Sequence, residues 1–196
     1  MSTPTSDLAS LVQAYLALYP QEEPALHDFV THLHQGDASI FSRATLPGHI
    51  TAGGFIIAKD TQRVLLIEHA FLQLFLQPGG HYDPEDHDPL DAARRETLEE
   101  TGLDAADLTY VPLKAEQPLI PFDIEVQPIP ANPRKQEAAH KHYDFRYIFM
   151  VSHEADVHIQ TEESATFRWT DWRVFAAGEP GFQQVAKKVE HLHLFD

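Results

Sequence analysis

The sequence feature that most constrains this chain is an acidic helix that follows a Gly-Gly turn. The helix is predicted to start at Pro89, since proline suits a first helical position that needs no amide donor, and to end before Gly102. Glu96, Glu99 and Glu100 then stand at positions i, i+3 and i+4, so their carboxylates project from one helix face. Such a cluster is either a solvated acidic surface or the ligand set of a cation.

The turn before the helix, Gly79-Gly80, favours the cation site. Glycine allows other groups to approach the backbone closely and leaves a carbonyl oxygen accessible. Hard divalent cations such as Mg²⁺ bind such oxygen atoms, keep several waters and bridge to substrate phosphates. Arg95 lies beside the cluster, where it can pair with an acid of the intervening loop and hold loop and helix together.

These residues resemble the Nudix box, whose pattern is Gly, five residues, Glu, seven residues, then Arg-Glu-apolar-any-Glu-Glu-any-Gly-apolar. Residues 95–103 match the second half at every fixed position, with Thr97 where an aliphatic residue is usual. The first half departs from the pattern in two ways. Asp86 stands in place of Glu, five residues after Gly80, and eight residues instead of seven separate Asp86 from Arg95. The loop partner of Arg95 therefore stays open among three acids: Asp83, Glu85 and Asp86.

The resemblance, carried by the box from Gly80 to Leu103, implies a hydrolase of the Nudix superfamily. It implies an α/β/α sandwich with a mixed β-sheet, and Mg²⁺, with Mn²⁺ as an alternative, bound by the Gly80 carbonyl and three glutamates: Glu96, Glu99 and Glu100. Arg95 would act with these glutamates in catalysis. Family members often carry a further acid in a late loop, and Glu163, or its neighbour Glu162, stands in a comparable place.

The activity that follows from the resemblance is metal-dependent hydrolysis of a diphosphate bond. The expected substrate is a nucleoside diphosphate linked to another moiety, such as a nucleotide sugar, ADP-ribose or a related nucleotide. The alternative is a non-catalytic nucleotide-binding module with a degraded Nudix loop. A prenyl diphosphate isomerase is disfavoured, because the isomerase of similar fold relies on a catalytic cysteine and this chain has none. An interaction protein with a chance acidic helix is the remaining hypothesis.

Candidate substrate contacts lie mainly in a proline-rich loop and the strand after it, residues 128–146. Arg134 and Arg146 would face the substrate phosphates, and the Tyr143 ring would stack on a base. His81 of the box loop is a further candidate substrate contact. His140 and His142 are two residues apart and share a strand face. A second metal site is conceivable at these two histidines, although we favour a hydrogen-bonding role.

Composition restricts the partners. The net charge of −16, from 14 basic and 30 acidic residues, argues against a nucleic acid polymer as partner, because phosphate backbones are bound by many Lys and Arg side chains. A small phosphorylated nucleotide remains a suitable substrate if metal ions supply the positive charge. The sequence shows neither a membrane span nor a signal peptide, so we expect a cytoplasmic protein.

The chain is predicted to consist of an N-terminal helical hairpin appendage, residues 1–47, and a Nudix-like catalytic domain, residues 48–196. Apolar residues recur at helical spacing over residues 6–35, with Pro20 between the two helices. The hairpin has two candidate roles, a contribution to substrate binding or the formation of a homodimer. Short β-rich segments follow from Ile50 onwards, and a closing helix is expected over residues 178–194.

Overall fold

The structure is a computed structural model that describes residues 4–36, 38–69, 73–133, 136–154, 157–158, 164–178 and 182–192. The helices in this part of the chain are α1 Pro4–Leu18, α2 Glu23–His34, α3 Pro89–Thr101, α4 Trp172–Gly178 and α5 Phe182–His191. The strands are β1 Gly48–Ala58, β2 Arg63–His69, β3 Leu74–Leu76, β4 Gly79–His81, β5 Thr109–Val111, β6 Asp123–Ile129, β7 His140–Val151 and β8 Ser164–Asp171. None of the described helices has the length and apolar character needed to cross a bilayer.

All eight strands belong to one mixed sheet. Its centre is the parallel pair β1 and β7, which runs from the pair Gly48 and Lys141 to the pair Ala58 and Val151. β2 and β4 both pair antiparallel with the other side of β1. β5 and β6 pair with β7, and β3 and β8 pair with β2, all antiparallel.

The sheet separates two hydrophobic clusters, each covered by helices. β1 is buried throughout, and its side chains alternate between the clusters: Ile50 and Ile56 pack with α1, α2 and α3, whereas Phe55 and Ile57 pack with α4 and α5. This arrangement confirms the predicted α/β/α sandwich with a mixed sheet.

The predicted N-terminal helical hairpin is present, and it packs directly on the sheet. Leu8 and Val12 of α1 and Phe29 of α2 are buried in the same cluster as the sheet residues. The Phe29 ring stacks on Tyr143 of β7 with 4.2 Å between ring centroids. The apolar stripe that made a homodimer one of its candidate roles is therefore packed within the chain.

A buried lysine also connects the hairpin to the sheet and to the last described helix. The Lys188 ammonium of α5 donates to the Tyr15 hydroxyl at 2.7 Å and to Asp123 Oδ1 of β6 at 2.5 Å. It also lies 2.7 Å from Glu22 Oε1, just after α1. Because a buried charge is costly without partners, these contacts fix the three elements relative to one another.

The helix of the Nudix-like box has the predicted ends. Asp88 is the N-cap and accepts a hydrogen bond from the Asp91 amide at 2.9 Å, and Pro89 is the first helical residue. Gly102 ends the helix with a φ of 65°, in the left-handed region that glycine adopts without strain.

Two features differ from the sequence-based expectations. Residues 79–81 form the short strand β4 in addition to the turn, with Gly80 opposite Ala52 of β1. The expected closing helix is preceded by α4, which was not predicted, and α5 begins at Phe182 in the described part of the chain. The glycine pair in β1, Gly53 and Gly54, marks a close neighbour, because a Cβ on Gly54 would lie 2.5 Å from the Phe149 ring.

Two buried threonines of α3 provide a stability test. The Thr97 hydroxyl is buried without a hydrogen-bond partner among the described residues, whereas the Thr101 hydroxyl donates to the Thr97 carbonyl at 2.6 Å. Thr97→Val should raise the free energy of unfolding by about 1 kcal/mol, because it removes an unsatisfied polar atom at nearly constant volume. The matched change Thr101→Val should lower it by a similar amount. Thermal unfolding should show opposite shifts of about 3 °C, and a lower melting temperature for Thr97→Val would contradict the prediction.

Candidate functional site

The Gly-Gly segment lies directly against two glutamates of α3. A Cβ on Gly80 would sit 2.5 Å from the carboxyl group of Glu96, so a larger residue there would displace this carboxylate. The Gly79 amide donates to Glu100 Oε2 at 2.9 Å. Pairing of β4 with β1 therefore brings the backbone of the turn and the carboxylates of the helix together, as the sequence predicts.

Arg95 joins the loop to the helix through Asp86. Its Nε donates to Asp86 Oδ1 at 3.0 Å, and its Nη2 donates to Asp86 Oδ2 and to the His81 carbonyl, both at 2.9 Å. The Asp83 amide also donates to Asp86, at 2.7 Å. Among the three acids left open by the sequence, Asp86 is thus the one that pairs with Arg95, and its shorter side chain still forms a bidentate contact.

The remaining guanidinium nitrogen of Arg95 contacts two of the helix glutamates. Nη1 lies 2.9 Å from Glu96 Oε1 and 3.2 Å from Glu99 Oε2. Burial raises the pKa of Glu96, Arg95 lowers it, and the negative charges of Glu99 and Asp86 raise it again. One guanidinium therefore faces an excess of carboxylates.

This site fits a hard divalent cation. Its donors are carboxylate oxygens and the backbone of a glycine pair, which is the ligand chemistry of Mg²⁺ and Mn²⁺. The close approach of Gly80 to Glu96 leaves no side chain between the backbone and the carboxylate. An additional positive charge would balance the carboxylates that Arg95 alone does not neutralise.

A cleft adjoins this site on the other face of β4. Gly79, Gly80 and Glu100 form one border, and residues of β1, β2, β3, β6, β7 and the adjoining loops line the rest. Asp144 of β7 is buried in it and accepts hydrogen bonds from Thr51 Oγ1 at 3.0 Å and Gln77 Nε2 at 2.9 Å. Burial raises the pKa of Asp144 to about 6, and Arg146 offsets only part of this effect.

Five histidines line the same cleft, and all but His69 lie in one cluster of rings. The rings of His49, His140 and His142 lie with their centroids 4.8 to 5.0 Å apart. His81 is stacked beside His49 at 5.2 Å. Burial, reinforced by the neighbouring histidines, lowers the pKa of His142 to about 2, so this ring is neutral over the physiological pH range.

The structure contradicts two predicted substrate contacts. Arg146 is only 2% exposed, and it donates to Asp123 at 2.9 Å and to Glu125 at 2.6 Å, so its charge is used inside the sheet. Tyr143 is buried against Phe29 on the opposite side of β7 from His142. Neither side chain is available to a substrate, and we withdraw both assignments.

The other predicted site residues fall into two groups. His81 lines the cleft, which is a suitable position for a substrate contact. Arg134 and Glu163, together with the alternative acid Glu162, lie outside the described residues. Sequence reasoning missed His49, Asp144 and Gln77. Alternation along β7 indicates Asp144, since it continues the face of His140 and His142, but only the strand register places His49 beside them.

A family model of the NUDIX domain matches residues 47–189, which is most of the chain. The chain belongs to the Nudix hydrolase superfamily. The match includes the whole box, so the departures in the first half of the box lie within a Nudix domain. The predicted family is thereby confirmed.

Several known proteins are similar to this Nudix chain. A probable DHNTP pyrophosphohydrolase of Lactococcus lactis subsp. cremoris (strain MG1363) is 28% identical over 142 residues, which cover 72% of this chain and 76% of that protein. The C. elegans Ap4A hydrolase in a binary complex has a TM-score of 0.55 and 20% identity, covering 73% of this chain and 96% of that one. The Shewanella oneidensis NrtR NUDIX domain, complexed with ADP ribose, has a TM-score of 0.52 and 16% identity, covering 83% and 96%. The two structures show the common fold.

The contact between Arg95 and Asp86 predicts a pH-dependent contribution to stability. Burial raises the pKa of Asp86, but hydrogen bonds from Arg95 and the Asp83 amide hold the net pKa below the ordinary value of 3.8. Asp86→Asn should therefore lower the free energy of unfolding by about 2 kcal/mol at neutral pH. A group with a depressed folded-state pKa stabilises the protein above its unfolded pKa, so the deficit should shrink as the pH falls below 3.8.

Denaturant unfolding across this pH range tests the prediction, with Glu85→Gln as the matched control. Glu85 is an exposed acid of the same loop, and its substitution should change stability by less than about 0.5 kcal/mol. Equal effects of the two substitutions at neutral pH would contradict the assigned contact.

Proposed function

We propose that this Nudix chain is a metal-dependent pyrophosphohydrolase that cleaves a diphosphate bond in a small nucleotide. The bidentate contact between Asp86 and Arg95 is the observation that carries this proposal. It supports catalysis because the lengthened loop still braces the acidic helix against the Gly-Gly segment. The main argument for a degraded, non-catalytic loop was that the loop partner of Arg95 was uncertain, and the contact with Asp86 removes that argument.

The side chains of the box would have two roles, orienting the glutamates and binding the metal ion. Arg95 orients Glu96 and Glu99 through its Nη1 nitrogen, and the Gly79 amide orients Glu100 at the border of the cleft. Together with the Gly80 carbonyl, these three glutamates would hold Mg²⁺ or Mn²⁺. The bound cation would supply positive charge for the diphosphate oxygens and lower the pKa of the attacking water.

A proton acceptor for that water is needed from the chain itself. Burial raises the pKa of Glu96, which makes a carboxylate a better base near neutral pH in the absence of metal. Glu163 of the late loop is the other candidate, by the family resemblance. Glu163→Gln distinguishes them: if Glu163 is the base, its loss lowers the turnover number more than it changes substrate affinity, and if Glu96 is the base, Glu163→Gln keeps the wild-type turnover number.

The proposed substrate is a nucleoside diphosphate linked to a further group. The strongly acidic chain disfavours long polyanions, and the cleft beside Glu100 offers polar side chains, including His81 and Gln77, for a small ligand. The names of the similar proteins include a dinucleotide, a pterin triphosphate and ADP ribose, which all carry phosphoanhydride bonds. This shared chemistry supports the reaction class and defines a substrate panel.

Hydrolysis assays with Mg²⁺ or Mn²⁺ test the proposal on four substrates: dihydroneopterin triphosphate, Ap4A, ADP-ribose and a nucleotide sugar. Wild-type protein should split at least one of them. The double substitution Glu99→Gln and Glu100→Gln should lower the turnover number by about a hundredfold or more, because it removes two of the proposed metal ligands.

Glu116→Gln is the matched control, since Glu116 is an exposed glutamate distant from the box in sequence, and it should retain wild-type turnover. Undiminished hydrolysis by the double variant would overturn the assigned site. Tight binding of a panel nucleotide in calorimetry, without product in the presence of either metal, would instead establish the non-catalytic module.

A further inference from the structure

The histidines of the cleft form a second constellation of possible metal ligands, separate from the glutamates of α3. His49 of β1 lies directly opposite His142 of β7 in the parallel register, and His140 precedes His142 by two residues on the same face. One ring nitrogen from each of the three lies within 4.8 Å of the others. The Nε2 atoms of His140 and His142 are 3.1 Å apart.

The protons of two of these rings can be assigned from their backbone contacts. His140 Nδ1 lies 2.8 Å from the Ala138 carbonyl, and His49 Nδ1 lies 3.4 Å from the Thr45 carbonyl. Because a carbonyl can only accept, Nδ1 carries the proton in both rings and Nε2 presents a lone pair. Metal-bound histidines usually have this arrangement, in which the second ring nitrogen donates to a carbonyl or carboxylate.

His49 supplies an independent observation. Its side chain is only 1% exposed, and its Nε2 is buried without a hydrogen-bond partner among the described residues. Buried acceptors are nearly always satisfied, so an unpaired one indicates a missing partner. A cation held between the three rings would complete the coordination of this nitrogen.

We propose that His49, His140 and His142 bind a transition-metal dication of the Zn²⁺ class. Imidazole nitrogen suits Zn²⁺, Co²⁺, Ni²⁺ and Cu²⁺, whereas Mg²⁺ takes oxygen ligands, so this site and the glutamate site select different ions. Metal–nitrogen distances of about 2.0–2.1 Å in a tetrahedral site separate the ligand nitrogens by about 3.3 Å, close to the 3.1 Å between His140 and His142. Three protein ligands leave a fourth position open to the cleft.

An anion is a poorer occupant of the same place. Phosphate binding would require N–H donors directed at the centre of the cluster, and in His49 and His140 the Nδ1–H donors point instead at the Thr45 and Ala138 carbonyls. The Nε2 lone pairs of His49 and His140 instead attract a cation. The site is proposed from side chains other than the box glutamates, so it does not depend on the proposed hydrolysis.

Zn²⁺ binding to chelator-treated protein tests the site directly. Calorimetric titration is done in excess Mg²⁺, so that oxygen-ligand sites are filled, and Co²⁺ absorption reports tetrahedral nitrogen coordination. Wild-type protein should bind one equivalent. His140→Asn should weaken binding by at least about tenfold, since loss of even a second-shell partner of a metal ligand has an effect of that size. His140 is partly exposed at the start of β7, so its substitution should leave the fold intact.

Two further variants make the result specific. His27→Asn changes an exposed histidine of α2 and should bind like wild type. The double substitution Glu99→Gln and Glu100→Gln should also keep the Zn²⁺ equivalent, although it abolishes the proposed Mg²⁺ site. Absence of Zn²⁺ binding by wild type, or equal affinity of His140→Asn and His27→Asn, would overturn the proposal. If His140→Asn does not fold, the same comparison is made with His142→Gln.

Discussion

The guanidinium of Arg95 is the contact on which the arrangement of the site depends. It binds both oxygens of Asp86, the carbonyl of His81 and one oxygen of Glu96, so one side chain connects the loop, β4 and α3. A planar guanidinium matches a carboxylate in two parallel hydrogen bonds, which fixes direction as well as distance. Without this cation, the acids of the loop and of the helix face would repel one another.

The three-residue strand β4 connects the contacts of Arg95 to the cleft. Successive residues of a strand point to opposite faces, so Gly80 faces Glu96 on α3 while His81 faces the histidines of β1 and β7. Pairing with β1 fixes both directions at once. Oxygen donors and nitrogen donors are therefore presented on two sides of one short strand, which is the structural basis for proposing two chemically different cation sites.

Local signals in the sequence predicted the parts of the site that depend on local geometry. The helix α3 was predicted correctly, because its N-cap, its proline and its terminal glycine lie within the segment itself. β4 was missed because a Gly-Gly pair is typical of a turn, and only the neighbouring strand β1 converts it into a strand. The partner of Arg95 could not be chosen from the sequence, since three loop acids are within reach of it.

The wrong assignments of Tyr143 and Arg146 as substrate contacts have a physical reason, and part of it could be recognised from the sequence. Tyr143 and Arg146 stand at odd and even positions of one strand, so they could not both face the cleft that His142 faces. Arg146 does continue the His142 face, but it lies deeper, where Asp123 and Glu125 neutralise it. Depth within a sheet depends on register and on neighbouring elements, which spacing along one strand does not give. For the same reason the sequence did not indicate His49, because its neighbours His140 and His142 are 91 and 93 residues away along the chain.

A double-mutant cycle between Asp86 and Arg95 tests the central claim most directly. The measured quantity is the rate of Mg²⁺-dependent hydrolysis of the best substrate of the panel, for wild type, Asp86→Asn, Arg95→Gln and the double variant. If the two side chains act as one brace, each single substitution lowers the rate and the double variant is no slower than the slower single one. Losses that multiply in the double variant, or single variants with wild-type rates, would contradict the account.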